Sequence, residues 1–210
     1  MLKLNKPTDR VYFLKVAGIN LILFLLVYIP TNHLLDSVSP LQPYFKWEKT
    51  TPLIDWMIIP YLSLYLLFIF PLFFLGQKEL RDLGLAFALS TLVAGGLFVL
   101  FPIKPDFIRV IPDGFTTVLY RHLYKLDQAR NLLPSLHVTY AGLYFLSCNN
   151  IFKSTISKIL FGSWIALIVA STFFTHQHHI IDIISGIILA ISTYWITIRR
   201  RHLPADQLQP

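Results

Sequence analysis

Six stretches of this chain are too apolar to sit comfortably in water. They cover residues 11–29, 53–75, 83–101, 136–148, 156–174 and 180–198. Most approach the roughly 20 residues that a helix needs to cross a bilayer. Charged residues make up only 14% of the chain, against about 25% in soluble domains. The expected fold is therefore all-α: a six-transmembrane-helix bundle over residues 1–203, followed by a short disordered tail at 204–210. The fourth stretch is short and is expected to extend through Asn149 and Asn150. Pro60 and Pro71 predict kinks in the second, which membrane helices tolerate when neighbours re-satisfy the backbone. The first is not read as a cleaved signal, because Tyr28-Ile29-Pro30 is a poor small-residue cleavage site.

Lys and Arg placement gives the orientation. Eleven cations crowd the helix ends on one side: Lys3, Lys6, Arg10, Lys15, Lys78, Arg81, Lys153, Lys158 and Arg199 to Arg201. Seven lie on the other: Lys46, Lys49, Lys104, Arg109, Arg121, Lys125 and Arg130. Both termini are thus expected in the cytoplasm, and a compact chain of this kind fits a bacterial inner membrane. The net charge of +7 fits anionic lipid headgroups. No aromatic-interleaved basic patch of a nucleic-acid module is visible, so no nucleic-acid partner is expected. The single cysteine, Cys148, excludes an internal disulfide and a Cys-rich metal site.

With six crossings, three groups of polar residues fall on the extracytoplasmic face. Lys104 and Arg109 follow the third stretch, Ser135 and His137 open the fourth, and His176, His178, His179 and Asp182 open the sixth. His178 and Asp182 are four apart, which on a helix places them on one face. A carboxylate there fixes the imidazole tautomer and leaves the other nitrogen as a nucleophile. An acid at membrane depth is expensive and marks a functional site by default. His137 is placed to protonate a leaving oxygen, while Lys104 and Arg109 would neutralise a phosphate. Zinc ligation by His176, His178, His179 and Asp182 is the weaker reading, since adjacent histidines on a helix point in different directions. No metal and no cofactor are expected.

Pro134-Ser135-Leu136-His137, followed by Ser171 and then His178-His-Ile-Ile-Asp182, resembles the last two signatures of the type 2 phosphatidic acid phosphatase superfamily. The third signature keeps its spacing across Ser171, His178 and Asp182. The resemblance implies a phosphohistidine formed on His178, oriented by Asp182, with His137 as general acid and later base. It also implies Lys104, Arg109, Ser135 and Ser171 as phosphate ligands. Three departures stand out: Leu136 replaces a Gly, Thr172 replaces an Arg, and Lys104 and Arg109 are only five apart with no Pro after the Arg. Pro-Ser-Leu-His is similar to the branch that includes inositol phosphorylceramide synthases. The expected activity is a membrane lipid phosphatase acting on a lipid phosphate monoester or diphosphate. A phospholipid headgroup transferase is the alternative, and a non-enzymatic lipid-binding or transport protein is the rival of another class.

Overall fold

The computed structural model describes residues 9–33, 44–103, 105–127, 130–148 and 151–199. The described residues form helices and turns, with one isolated bridge between Ile103 and Asn131. In chain order the helices are α1 (Arg10–His33), α2 (Ile58–Leu62), α3 (Leu64–Leu67), α4 (Pro71–Phe74), α5 (Gln77–Leu100), α6 (Thr117–Leu126), α7 (Leu136–Cys148), α8 (Thr155–Phe174) and α9 (Ile180–Tyr194). A π-helical turn, Trp195–Arg199, continues α9. Two 3-10 turns, Lys46–Thr50 and Asp55–Met57, precede α2. Among the described residues four helices are long and apolar enough to cross a membrane: α1, α5, α8, and α9 with its continuation. The chain is an all-helical integral membrane protein.

The other two apolar stretches differ from a plain crossing. The second is broken into α2, α3 and α4. Pro71 has no N–H to donate back to Leu67, so the helix cannot run through it. The chain instead makes three-residue turns, Ile69 N–H to Leu66 O and Phe70 N–H to Leu67 O, both at 3.2 Å. It then restarts with Pro71 in the first turn of α4, where the missing N–H costs nothing. The upstream break at Ser63 is tied off by side chains. Ser63 Oγ donates to Pro60 O at 2.7 Å and accepts Trp164 Nε1–H at 2.9 Å. The fourth stretch, α7, has 13 residues, about 20 Å of helix at 1.5 Å per residue. Asn149, Asn150 and the 204–210 tail lie outside the described residues.

Contacts between named positions fix the helix directions. Val16 faces Gly84 and Val27 faces Gly95, so α1 and α5 run parallel. The hydroxyls of Thr91 and Tyr140 meet at 2.7 Å, and the Phe87 ring packs on both Tyr140 and Tyr144, so α7 runs antiparallel to α5. The α2–α4 segment runs antiparallel to α8: Ile54 N–H reaches Phe174 O at 3.0 Å, while Phe70 stacks on Phe161. The starts of α2, α7 and α9 therefore share one end of the bundle with the last turns of α1, α5 and α8. Arg10, Lys15, Lys78, Arg81, Lys153, Lys158 and Arg199 fall at the opposite end.

A close seam also lies between α7 and α9, which run parallel. A Cβ on Gly186 would stand 2.7 Å from Ser135 O and 3.0 Å from Val138 Cβ, and one on Gly142 would stand 2.9 Å from Ala190 Cβ. Thr139 Oγ1 bridges the seam, 2.8 Å from Ser135 O and 3.1 Å from Gly186 O. The first obstacle to a Gly186 side chain is backbone, which cannot rotate away. Gly186→Val is expected to cost about 1–3 kcal/mol, as overpacked cores do, and to lower the thermal midpoint in detergent. Gly96→Val on α5, where a Cβ meets nothing within 4 Å, is expected to leave the midpoint unchanged.

Candidate active site

The start of α9 organises one end of the bundle. His179 is its N-cap, with extended backbone, and Asp182 is the third helical residue. Asp182 Oδ2 accepts the His179 N–H at 2.8 Å, satisfying an amide that the helix itself leaves open. The same Oδ2 lies 3.5 Å from His178 Nδ1. His178 thus stands just ahead of the helix and not on it. It meets Asp182 because the capping turn folds back, which differs from the shared helical face that a four-residue spacing predicts. The turn is locked from the other side. Thr172 O accepts both Gln177 N–H and His178 N–H, at 3.1 and 3.0 Å, and His176 takes a left-handed φ of 57°.

His137, in the first turn of α7, brings the second imidazole to within 6.5 Å of His178 between ring centroids, tilted by 50°. Its other face stacks on Tyr61 of α2 at 4.2 Å. His137 Nε2, His178 Nδ1 and Asp182 Oδ1 are buried and make no hydrogen bond among the described residues. A buried polar atom left so costs about 1–3 kcal/mol, and natural structures concentrate such costs at functional positions. At 3.5 Å His178 Nδ1 faces the carboxylate without closing a hydrogen bond with it.

The remaining predicted site residues fall differently. Ser135 is fully buried and caps α7: its Oγ accepts Val138 N–H at 3.4 Å, and its N–H donates to Asp182 O at 3.1 Å. Ser171 is also fully buried, and its hydroxyl donates to Ile168 O in its own helix at 2.6 Å. Arg109 reaches the end of α6, donating from Nη1 to Asp127 O at 2.7 Å, with its guanidinium 4.8 Å from the Tyr124 ring centroid. A cation at a helix C-terminus is favourable on its own account. Its Nη2 is buried and makes no hydrogen bond among the described residues. Lys104 lies outside the described residues.

Sequence reasoning missed Glu48. It sits between Trp47 and Lys49 in a charged stretch that reads as solvated surface, yet it is 0% exposed. One carboxylate oxygen accepts Phe45 N–H at 3.0 Å; the other accepts from His179 Nδ1 at 2.6 Å and Ile180 N–H at 3.4 Å. His179 Nε2 accepts the Asp106 N–H at 3.1 Å, which fixes the tautomer with the proton on Nδ1. His179 is therefore an internal tie, buried and bonded at both nitrogens. Phe107 is stacked between the rings of His176 and His179, each at 4.3 Å, and Tyr44 stacks on His179 at 5.2 Å. Burial pushes His176 below the usual histidine range, partly offset by its bond to Thr51 O. Lys49 pairs with Asp106 and holds that carboxyl below its ordinary value, though both are solvent-exposed enough that the pair adds little stability. Among the described residues no group of three or more His, Cys, Asp or Glu is arranged to hold a metal ion.

The fold and this end of it define a class: an integral membrane helix bundle that gathers two imidazoles and a buried carboxylate at one end of the bundle. Residues 25–196 match the PAP2 superfamily, and the chain belongs to it, the type 2 phosphatidic acid phosphatase superfamily. No curated protein and no solved structure matches the chain. Membership makes it a phosphohydrolase-like enzyme of the phosphatase and phosphotransferase type.

Glu48→Ala strands the His179 Nδ1–H and the Ile180 N–H. It is expected to cost about 1–3 kcal/mol, read as a lower thermal midpoint in detergent. Glu48→Gln, which still offers an oxygen to Nδ1, is expected to recover part of the loss.

Proposed function

We propose that this protein is a membrane lipid phosphatase that works through a phosphohistidine on His178. The observation that carries the reading is the pair of imidazoles with centroids 6.5 Å apart, one of them backed by Asp182. Reacting atoms in a productive complex lie about 3–3.5 Å apart, so one phosphoryl group fits between two rings at that spacing. Asp182 faces Nδ1 and would hold the proton there, leaving the Nε2 lone pair to attack. A bond forms from Nε2 to phosphorus as the bond from phosphorus to the lipid alkoxide breaks, and His137 gives that alkoxide its proton. In the second step His137 takes a proton from water, the water oxygen bonds to phosphorus and the nitrogen–phosphorus bond breaks. Inorganic phosphate leaves and His178 is restored.

Negative charge on the transferring group needs donors already in place. Arg109 Nη2 and, by sequence, Lys104 are the side chains proposed for it. Ser135 and Ser171 are also proposed as phosphate ligands: the Ser135 hydroxyl accepts Val138 N–H and keeps its own proton to donate, while the Ser171 hydroxyl would have to turn from Ile168 O. The alternating helix directions support six passages, counting the broken second segment and the short α7. The crowding of Lys and Arg at the opposite end supports cytoplasmic termini and an extracytoplasmic site, in a bacterial inner membrane. The substrate class is a lipid phosphate monoester or diphosphate. Headgroup transfer to a lipid alcohol is the second reading, and Pro134-Ser135-Leu136-His137 is the feature that favours it.

Purified protein incubated with radiolabelled phosphatidic acid is expected to form an acid-labile, base-stable phosphoenzyme. His178→Ala is expected to lose both the label and turnover while remaining folded in membranes. His137→Ala is expected to lower turnover on the order of 10²–10⁴-fold, the usual scale of general acid–base catalysis. Wild-type turnover in His178→Ala would falsify the mechanism. A protein that binds lipid phosphates but never carries label would instead be a binding or transport protein.

Adding a lipid alcohol to the same incubation separates the two enzyme readings. Free phosphate as the sole labelled product, unchanged by the alcohol, is the outcome expected of a phosphatase. Label moving to the alcohol would establish the transferase.

A further inference from the structure

One side of α6 has no role in the site. Tyr120 and Leu123 turn inward and pack with Ile58 and Tyr61 of α2, and Arg109 caps the helix's last carbonyls. The outward side carries exposed apolar residues among its polar ones. Phe115 and Leu126 are 72% and 77% exposed, and Val118 is also exposed. Val118, His122 and Leu126 are spaced four apart, so they form one stripe along the helix, with Phe115 just ahead of it. Beside the stripe stand Arg121 and Lys125, one turn apart, exposed and without an ion pair among the described residues. The segment leading into α6 adds Ile108, 82% exposed, with Val110 and Ile111. Asp113 is the only acidic residue between 108 and 126.

Contiguous exposed apolar surface of this kind marks a contact with a membrane or a partner. Two observations favour the membrane. First, α6 packs against the start of α2, and Trp56 just before α2, Ile59 within it and Tyr65 in α3 are exposed on the second apolar stretch. The α6 stripe thus lies beside an apolar stretch of the bundle, and Trp56 has the character of an interfacial residue. Second, an apolar stripe flanked by Lys and Arg is the pattern of a helix lying in the plane of a bilayer interface. It also accounts for Arg121 and Lys125, two cations that run against the charge bias of the chain.

We propose that α6, with the segment from Ile108 to Phe115, is seated in the bilayer interface at the site end of the bundle. The apolar stripe enters the acyl region, and Arg121 and Lys125 rest on the phosphates of anionic phospholipids. The inward face of the same helix supports Tyr61, on which His137 stacks. A lipid in that leaflet would then be one helix thickness from the imidazole pair. The seating does not depend on His178 acting as nucleophile, so it can be tested without activity.

Val118→Cys and Leu126→Cys, each labelled with an environment-sensitive fluorophore, would be reconstituted in nanodiscs of phosphatidylcholine with phosphatidylglycerol. Cys148 is fully buried and stays in place, with unlabelled-site protein as the control. Both probes are expected to be quenched by lipid-borne nitroxides and shielded from iodide. Adding Arg121→Gln and Lys125→Gln is expected to shift both probes toward iodide, as is replacing phosphatidylglycerol by phosphatidylcholine. Quenching by iodide and not by lipid would overturn the seating. Shielding from both quenchers would also overturn it, by showing a protein partner on this face. Lipid quenching that ignores both the charge variants and the lipid composition would overturn the headgroup contact.

Discussion

The geometry of the imidazole pair depends on how closely two backbones can approach. His137 and His178 lie on separate elements, 41 residues apart in sequence, and nothing local holds them together. The start of α7 rests on the first turns of α9, with Gly186 against Ser135 O and a backbone hydrogen bond from Ser135 N–H to Asp182 O at 3.1 Å. That bond joins the residue that caps α7 to the residue that backs His178. Helices in lipid gain little from hydrophobic exclusion, since lipid tails are as apolar as the side chains, and depend on small residues that allow close packing. A register set by backbone atoms at a glycine contact is therefore a stiff way to fix the distance between two rings.

The second constraint is the burial of charge. Glu48 and Asp182 are both 0% exposed at the same helix start. A buried carboxylate is tolerated when fixed donors surround it, and the N-terminus of α9 supplies them. Asp182 takes the His179 N–H, while Glu48 takes the Ile180 N–H and the proton of His179 Nδ1. The helix dipole favours both anions. One loop segment, residues 44–50, thereby becomes part of the α9 cap, and the ring stack through Phe107 draws the residues after α5 into the same knot. The turn that carries His178 is held from three separate parts of the chain.

The helices were legible in the sequence because a long apolar run has few alternatives, and each of the six stretches contains helix. The breaks in the second were half legible. Pro71 explains one, but the break at Ser63 carries a hydrogen bond from Trp164, a residue on another helix. The site signatures were legible from residue types: His137, His178 and Asp182 do converge, although His178 and Asp182 meet through a capping turn instead of along a helix face. Glu48 was not legible, because a glutamate beside lysines reads as solvated until the tertiary fold buries it. The engaged hydroxyls of Ser135 and Ser171 were likewise invisible, since a sequence does not say whether a serine bonds outward or back to its own helix.

The broken second stretch has a structural role that a straight helix could not fill. An interruption in lipid leaves backbone groups that must be satisfied inside the protein, and here Ser63 and the Trp164 indole take part in doing so. The resulting α2 is a short piece at the site end. Its Tyr61 lies nearly parallel to His137, with an interplanar angle of 17°, and its other neighbours are Tyr120 and Leu123 of α6. A flat aromatic wall fixes the plane of the His137 ring without competing for its nitrogens. Stacking leaves Nε2 of His137 buried and free of any hydrogen bond among the described residues, where a purely structural histidine would be expected to find a partner.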